Sequence, residues 1–336
     1  MSKSRIVLAL IGGVLLAGLG VGALAHVATR RAPESPSLEA SASFVPHSAS
    51  LVGFVDVRAL AASPLYDLVA AHQRDGDAEE ENPFDRIREE LRIDPLTDVV
   101  SATFSSERIA AGSSDAPPRA RWGMAVRGSF DASALEERVA AREGARQEDY
   151  EGTKLYLFDG GSGQSLALAV PGAEWFVFGE PDYVRRMIDA GPGSSGDAVE
   201  AVAEWKDTLS SSDAFWLAGE PPERLGGLAG APPPGVTERL PALASFVLSG
   251  RLGESLFLVA KARSAEPAGA QNLAELVRGL LALGRLSASM GPELSNVLDT
   301  VRIDQADDRV AISLEAPFDV VRQLLDDRRA EGAAPY

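Results

Sequence analysis

The chain contains no cysteine, only three histidines (His26, His47, His72) and only four lysines (Lys3, Lys154, Lys206, Lys261). Without cysteine there is no disulfide, no thiolate-bound zinc, no thiol nucleophile and no lipid attached through an N-terminal cysteine. An oxidising compartment suits such a chain, because a stray thiol is a liability there. His26 sits at the edge of an apolar run. His47 and His72 are then the only imidazoles left, without HxH or HxxxH spacing, so solvated polar positions are expected rather than ligands. Basic charge is scarce too: 32 Lys and Arg stand against 49 Asp and Glu, and residues 32–336 alone carry a net −21. A surface of that sign repels phosphate backbones, which excludes nucleic acid as a partner.

Motifs for catalysis are missing as well. Gly160–Gly163 and Gly191–Gly196 are glycine-rich, but neither carries the Lys-Ser/Thr of a phosphate loop or the spacing of a dinucleotide fingerprint. No G-x-S-x-G elbow occurs. The acidic run from Asp75 to Glu81 offers oxygen ligands, but its glycine is misplaced for a calcium loop and it leads straight into Pro83. No residue is therefore assigned to catalysis, to a cofactor or to a metal. With so many acids some carboxylates meet in any fold, so a carboxylate-based hydrolase stays open as a third reading.

What is present begins at the N-terminus. Lys3 and Arg5 precede twenty uncharged residues, Ile6 to Ala25. As a helix that run is about 30 Å long, the thickness of a bilayer's hydrocarbon core. Ile6, Leu8, Leu10, Val14, Leu15, Leu19 and Leu24 would meet the lipid as a membrane anchor. Ala23-Leu24-Ala25 is also an acceptable small-x-small cleavage site, with Ala23 and Ala25 as its small residues. An uncleaved anchor leaves a single-pass protein of the bacterial cell envelope with its C-terminal domain outside the cytoplasm. Cleavage releases a periplasmic or secreted protein. The membrane, through this segment, is the one partner the sequence names; a protein or an apolar ligand is left open.

The remainder divides by composition into a Pro/Ser/Ala-rich tether (28–43), a first half (44–190), a connector (191–211), a second half (212–329) and a tail (330–336), after the N-terminal segment (1–27). One pattern recurs: a short apolar strand, a start signal, then an amphipathic helix. It runs from Leu51–Val57 into 58–71, from Trp122–Phe130 into 131–142 with Asp131 as N-cap, from Trp175–Gly179 into a helix at Pro181, from Ala214–Gly219 into one at Pro221, from Leu256–Ala262 into one at Pro267, and from Val310–Leu314 into one at Pro317. Hairpins are expected across Asp307-Asp308 and across Gly160–Gly163. Closely spaced strands pair antiparallel. The expected fold is α+β, antiparallel sheet with helices packed mainly on one face, in two related halves. Two echoes suggest the relation: Phe-Val-Phe-Gly-Glu-Pro at 176–181 with Trp-Leu-Ala-Gly-Glu-Pro at 216–221, and Ser-Phe-Asp at 129–131 with Pro-Phe-Asp at 317–319.

The start of the folded region, Val45-Pro46-His47-Ser48-Ala49 followed by a strand and then Ser63-Pro64-Leu65, resembles a loose class of exported or membrane-anchored bacterial proteins with an α+β ectodomain. Ile93-Asp94-Pro95-Leu96-Thr97-Asp98-Val99 and Tyr150-Glu151-Gly152 are similar to that class too. The resemblance implies export and fold, and no activity. Two readings then lead: a non-catalytic, tethered binding or scaffold domain, or a carrier of a lipid or other apolar ligand with a cavity on the order of several hundred Å³ under the sheet. Four tryptophans (Trp122, Trp175, Trp205, Trp216) fit core packing, or else the walls of an apolar groove.

Overall fold

A computed structural model describes residues 41–66, 68, 91–109, 119–159, 164–192, 199–221, 241–285 and 292–323. The expected anchor residues Ile6, Leu8, Leu10, Val14, Leu15, Leu19 and Leu24 and the cleavage-site residues Ala23 and Ala25 lie outside the described residues, as do Asp75–Glu81, His26 and His72. Among the described residues no helix is long and apolar enough to cross a membrane. The architecture is α+β, dominated by antiparallel sheet with few helices. The chain divides into two compact units. One takes the described residues of Ala23–Ala62 and Glu79–Ser212, the other those of Ser63–Ala78 and Asp213–Tyr336.

The first unit contains seven strands: β1 (Leu51–Asp56), β2 (Val99–Ile109), β3 (Arg119–Gly128), β4 (Arg146–Tyr150), β5 (Thr153–Asp159), β6 (Ser165–Gly172) and β7 (Trp175–Gly179). They lie side by side in the order β1-β2-β3-β7-β6-β5-β4, every neighbour antiparallel. Its helices are α1 (Val57–Ala61), α2 (Ala132–Ala140), α3 (Pro181–Ala190) and α4 (Glu200–Ala203). Asp131 caps α2 as expected, its carboxylate accepting from the Ala134 N–H at 3.0 Å. Pro181 opens α3, where a missing N–H costs nothing.

Helices cover both faces of this sheet, where mainly one face was expected. Tyr183, Val184 and Met187 of α3 pack on Ala125, Leu155, Ala167, Ala169 and Val177. α2 reaches the opposite face: its Glu136 pairs with Lys154 at 2.9 Å, and Lys154 precedes Leu155 and so points the other way. The cause is legible in β6, where Leu166 and Leu168 alternate with Ala167 and Ala169 and both parities are apolar. A strand without a polar face is buried on both sides. β4 escapes sequence reading for the converse reason, because Arg-Gln-Glu-Asp-Tyr has no apolar alternation. Within the stretch read as a connector, Val199, Val202, Trp205 and Leu209 are buried.

The second unit contains five strands, β8 (Phe215–Gly219), β9 (Leu243–Leu252), β10 (Ser255–Ser264), β11 (Arg302–Ala306) and β12 (Arg309–Pro317), with α5 (Pro267–Arg285) and α6 (Pro292–Thr300). Their order is β8-β9-β10-β12-β11, again antiparallel throughout. The hairpin across Asp307-Asp308 is present, with Asp307 at φ 51. Residues 299–300 end α6, just before β11. Ala270 and Ala274 of α5 pack on Val310, with Leu273, Ile303 and Ile312 alongside.

The two strand orders correspond. β1-β2-β3-β7-β6 matches β8-β9-β10-β12-β11 position by position, and a helix follows the third strand in each, α2 after β3 and α5 after β10. The sequence echoes do not follow this correspondence. Phe176–Pro181 ends β7, whose counterpart is β12, while Trp216–Pro221 ends β8, whose counterpart is β1. Both members of the Gly-Glu-Pro echo end a strand on glycine at positive φ, 154 for Gly179 and 142 for Gly219. At Gly179 a Cβ would stand 2.4 Å from the Trp122 carbonyl oxygen, so only glycine fits that close approach. The shared Gly-Glu-Pro is therefore a local way to end a strand before a proline.

Candidate functional site

The second unit holds a cavity of about 190 Å³ between α5 and its sheet. Strand alternation explains how it arises. Val310 and Ile312 face α5, so the residues in register with them on β10, Ala262 and Ala260, face it too. Phe246 and Leu248 of β9 are in register with that same pair and extend the row. The floor is thus two alanines in the middle strand, flanked by larger residues on both neighbours. Leu273 of α5 and Leu243 close the wall, with Pro221, Val247 and Lys261 at its margin. The lining is almost wholly apolar.

The counterpart position in the first unit is filled. On β3, the strand that corresponds to β10, Met124 and Val126 lie in register with Phe178 and Phe176 of β7. Those rings are packed further, Phe176 against Phe130 at 5.2 Å and Phe178 against Trp122 at 5.6 Å and Phe158 at 6.3 Å. Where the first unit has Met, Val and two phenylalanines, the second has Ala260, Ala262, Ile312 and Val310. The hollow therefore comes from side-chain size, while the strand order is shared.

A cavity of this size has a definite capability. An apolar hole of about 150 Å³ in a protein core stays dry and accepts a benzene-sized guest, whereas sites for whole drug-sized ligands run to roughly 300–1,000 Å³. This one has room for a short stretch of hydrocarbon, and the one charged residue in its lining is Lys261 at the margin. A second hollow, about 280 Å³ in the first unit, is lined by Arg146, Asp159, Gln164 and Ser165 together with Leu157 and Phe158. Its polar members lie at the surface, and the Arg142 guanidinium lies 5.1 Å from the Phe158 ring.

Other candidates are drawn into structural roles. Among the described residues no group of three or more His, Asp or Glu is arranged to hold a metal ion. His47 is exposed in the entry turn. Trp205 and Trp216 are buried. Trp175 leans on Phe44 at 5.2 Å and Trp122 on Phe104 at 6.5 Å, so no tryptophan lines the apolar cavity. Two acids among the described residues are buried. Asp56 caps α1, accepting from the Ala59 N–H at 2.9 Å, and burial, against that bond and the nearby Arg58 charge, holds its carboxyl above the ordinary value. Asp213 lies 3.9 Å from Arg251. Burial pushes the Tyr183 hydroxyl up to about 12, opposed by Ser105 and Arg186 and helped by the Glu107 charge. None of these three faces the cavity. The residues that form it were missed in sequence; the one available signal was Ala-Lys-Ala at 260–262, small residues at alternate positions of an otherwise bulky strand.

No protein-family model matches the chain. No curated protein matches it either. Among solved structures, crystal form III of TP0453 aligns at a TM-score of 0.44 and 9% identity, covering 87% of this chain and 98% of that one. Crystal form I aligns at 0.43 and 10%, covering 87% and 97%, and crystal form IV at 0.44 and 9%, covering 87% and 96%. A likeness at this level carries no conclusion about function.

Proposed function

We propose that the chain is a non-catalytic, extracytoplasmic binding protein of the bacterial cell envelope, tethered through the apolar run after Lys3 and Arg5, and that its second unit binds an apolar chain such as the acyl chain of a lipid. The observation that carries this reading is the cavity under α5, apolar on nearly every side and floored by Ala260 and Ala262. A scaffold domain has no need of such a hollow, and its counterpart in the first unit is packed shut. Each buried methylene is worth about 0.8 kcal/mol, so five of them contribute about 4 kcal/mol, a millimolar-scale affinity for the chain alone. Contacts outside the cavity would have to supply the rest.

The test borrows the side chain of the other unit. Ala260→Met places in β10 the residue that β3 has at Met124. The variant is expected to keep its fold by circular dichroism and to lose binding of a fluorescent fatty acid at least tenfold relative to wild type. Native mass spectrometry of the wild type taken from membranes should show a lipid-sized adduct that the variant lacks. Equal fatty-acid binding by both proteins would sink the assignment and return the chain to the scaffold reading.

A further inference from the structure

Ala260 and Ala262 face α5, so by strand alternation Leu258 and Ser264, two residues further on either side, face it too. The hollow ends where the alanines end. Beyond Ala260 stands Leu258, buried and in register with Leu314 on β12 and with Gly250 on β9, whose missing side chain leaves room that the Phe215 ring occupies. Beyond Ala262 stands Ser264, also buried. A Cβ on Gly269 of α5 would lie 2.1 Å from the Ser264 hydroxyl oxygen and 3.0 Å from Pro241. Along β10 the space is therefore closed at both ends and spans two alanines.

Across the sheet it is one strand wide. Ala260 lies between Leu248 and Ile312, and Ala262 between Phe246 and Val310. Neighbouring strands are about 4.8 Å apart. A single hydrocarbon chain, whose carbons contact their neighbours at about 3.5–4.0 Å, fills that width alone. A branched end would meet the walls. An apolar cavity of about 150 Å³ holds benzene's six carbons, so one of about 190 Å³ holds about six to eight.

The two polar side chains next to the alanines in sequence do not serve the hollow. The Ser264 hydroxyl donates to the Ala242 carbonyl at 3.3 Å and accepts from the Glu266 N–H at 3.3 Å. Lys261, between two residues that face α5, sends its side chain to the opposite face of the sheet. A head group drawn inside would lose its water and gain no partner, and for an ionised group that costs more than the tail recovers. A methyl end carries no such cost.

We infer, on the reading of the cavity as a site for an apolar chain, that it takes the methyl end of one unbranched alkyl tail, about six to eight carbons of it, without recognising the head group. Leu258 and Ser264 are the stops that set how many carbons enter. The ligand class is thus any amphiphile with a straight tail, selected by tail length and shape.

The full chain in phosphatidylcholine vesicles is loaded with a fluorescent fatty acid, which straight-chain competitors of graded length then displace. The competitors carry a carboxylate, an alcohol or a trimethylammonium head group and are compared at matched free concentration. Binding is the displacement lost in Ala260→Met, which cancels partition into lipid. Affinity is expected to rise about fourfold per methylene and to level off near about eight carbons. At equal tail length the three head groups should agree within about threefold, and a tert-butyl end should weaken binding at least tenfold, about two methylenes' worth. Leu258→Ala should move the levelling point outward by about three carbons, the number the truncation removes. Leu258→Val should move it by about one and keeps the readout if the larger truncation unfolds. A tenfold preference for one head group, equal binding of tert-butyl-ended tails, or an unmoved levelling point in both Leu258 variants would overturn the inference. Binding that is lost in Ala260→Met yet follows the head group ends the inference and retains the cavity as a site. Displacement identical in wild type and Ala260→Met for every competitor ends both.

Discussion

Asp56 shows how much a single position can carry without serving a reaction. It ends β1, caps α1 and is buried, and burial is the largest influence on its carboxyl, raising it above the ordinary value. An acid raised in the folded state favours folding while protonated, so this contribution is present below the unfolded-state value and is lost as pH rises through the folded-state value. Asp56→Asn keeps a cap acceptor and removes the charge. It is expected to be at least as stable as wild type at pH 7, with the advantage vanishing near pH 3. Asp56→Ala is expected to cost about 1 kcal/mol at neutral pH through loss of the cap. Urea unfolding at the two pH values checks both. Asp131, the cap of α2, could be read from sequence because it stands directly before an amphipathic run; Asp56 could not, because Asp-Val-Arg reads as the continuation of a strand.

Between elements, side-chain volume decides what shared topology leaves open. Gly250 of β9 lies in register with Phe215 of β8, and a Cβ there would stand 2.1 Å from the phenylalanine ring. The ring fills the space that the glycine leaves. Gly250→Ala is therefore expected to destabilise the second unit by about 1–3 kcal/mol, the usual cost of overpacking, measured by thermal unfolding. Adding Phe215→Leu should recover part of that loss, since the two positions compete for one volume. The same reasoning run in reverse gives the cavity, where Ala260 and Ala262 leave a space that no described residue fills. Helix starts at Pro181 and Pro267 and the β11–β12 turn were legible because proline, a run of polar turn residues and apolar spacing act locally. β4 was not, because an edge strand with charged side chains pairs through its backbone alone.

For the molecule as a whole, charge and the N-terminal run set the expectations. With the run retained, the protein is expected in the membrane fraction with Met1–Arg5 recoverable by N-terminal sequencing; cleavage after Ala25 would yield a soluble protein beginning at His26. The two outcomes exclude one another in a fractionated envelope. Of the stretch read as a tether, Ser41, Ala42 and Ser43 are buried, and the Ser41 carbonyl accepts from the Thr103 hydroxyl at 2.8 Å, so the folded region begins before residue 44.

Composition by itself determined that there is no thiol, that there are three imidazoles and that 49 acids stand against 32 Lys and Arg. Local pattern determined most strands, the proline-started helices and the antiparallel pairing, since each depends on residues close together in the chain. Tertiary structure alone decided that helices cover both faces of the seven-strand sheet, that the two units share a strand order their sequence echoes do not follow, and that one of two corresponding positions is hollow. Those features depend on which residues from distant strands come to lie in register, and on the volumes they bring there.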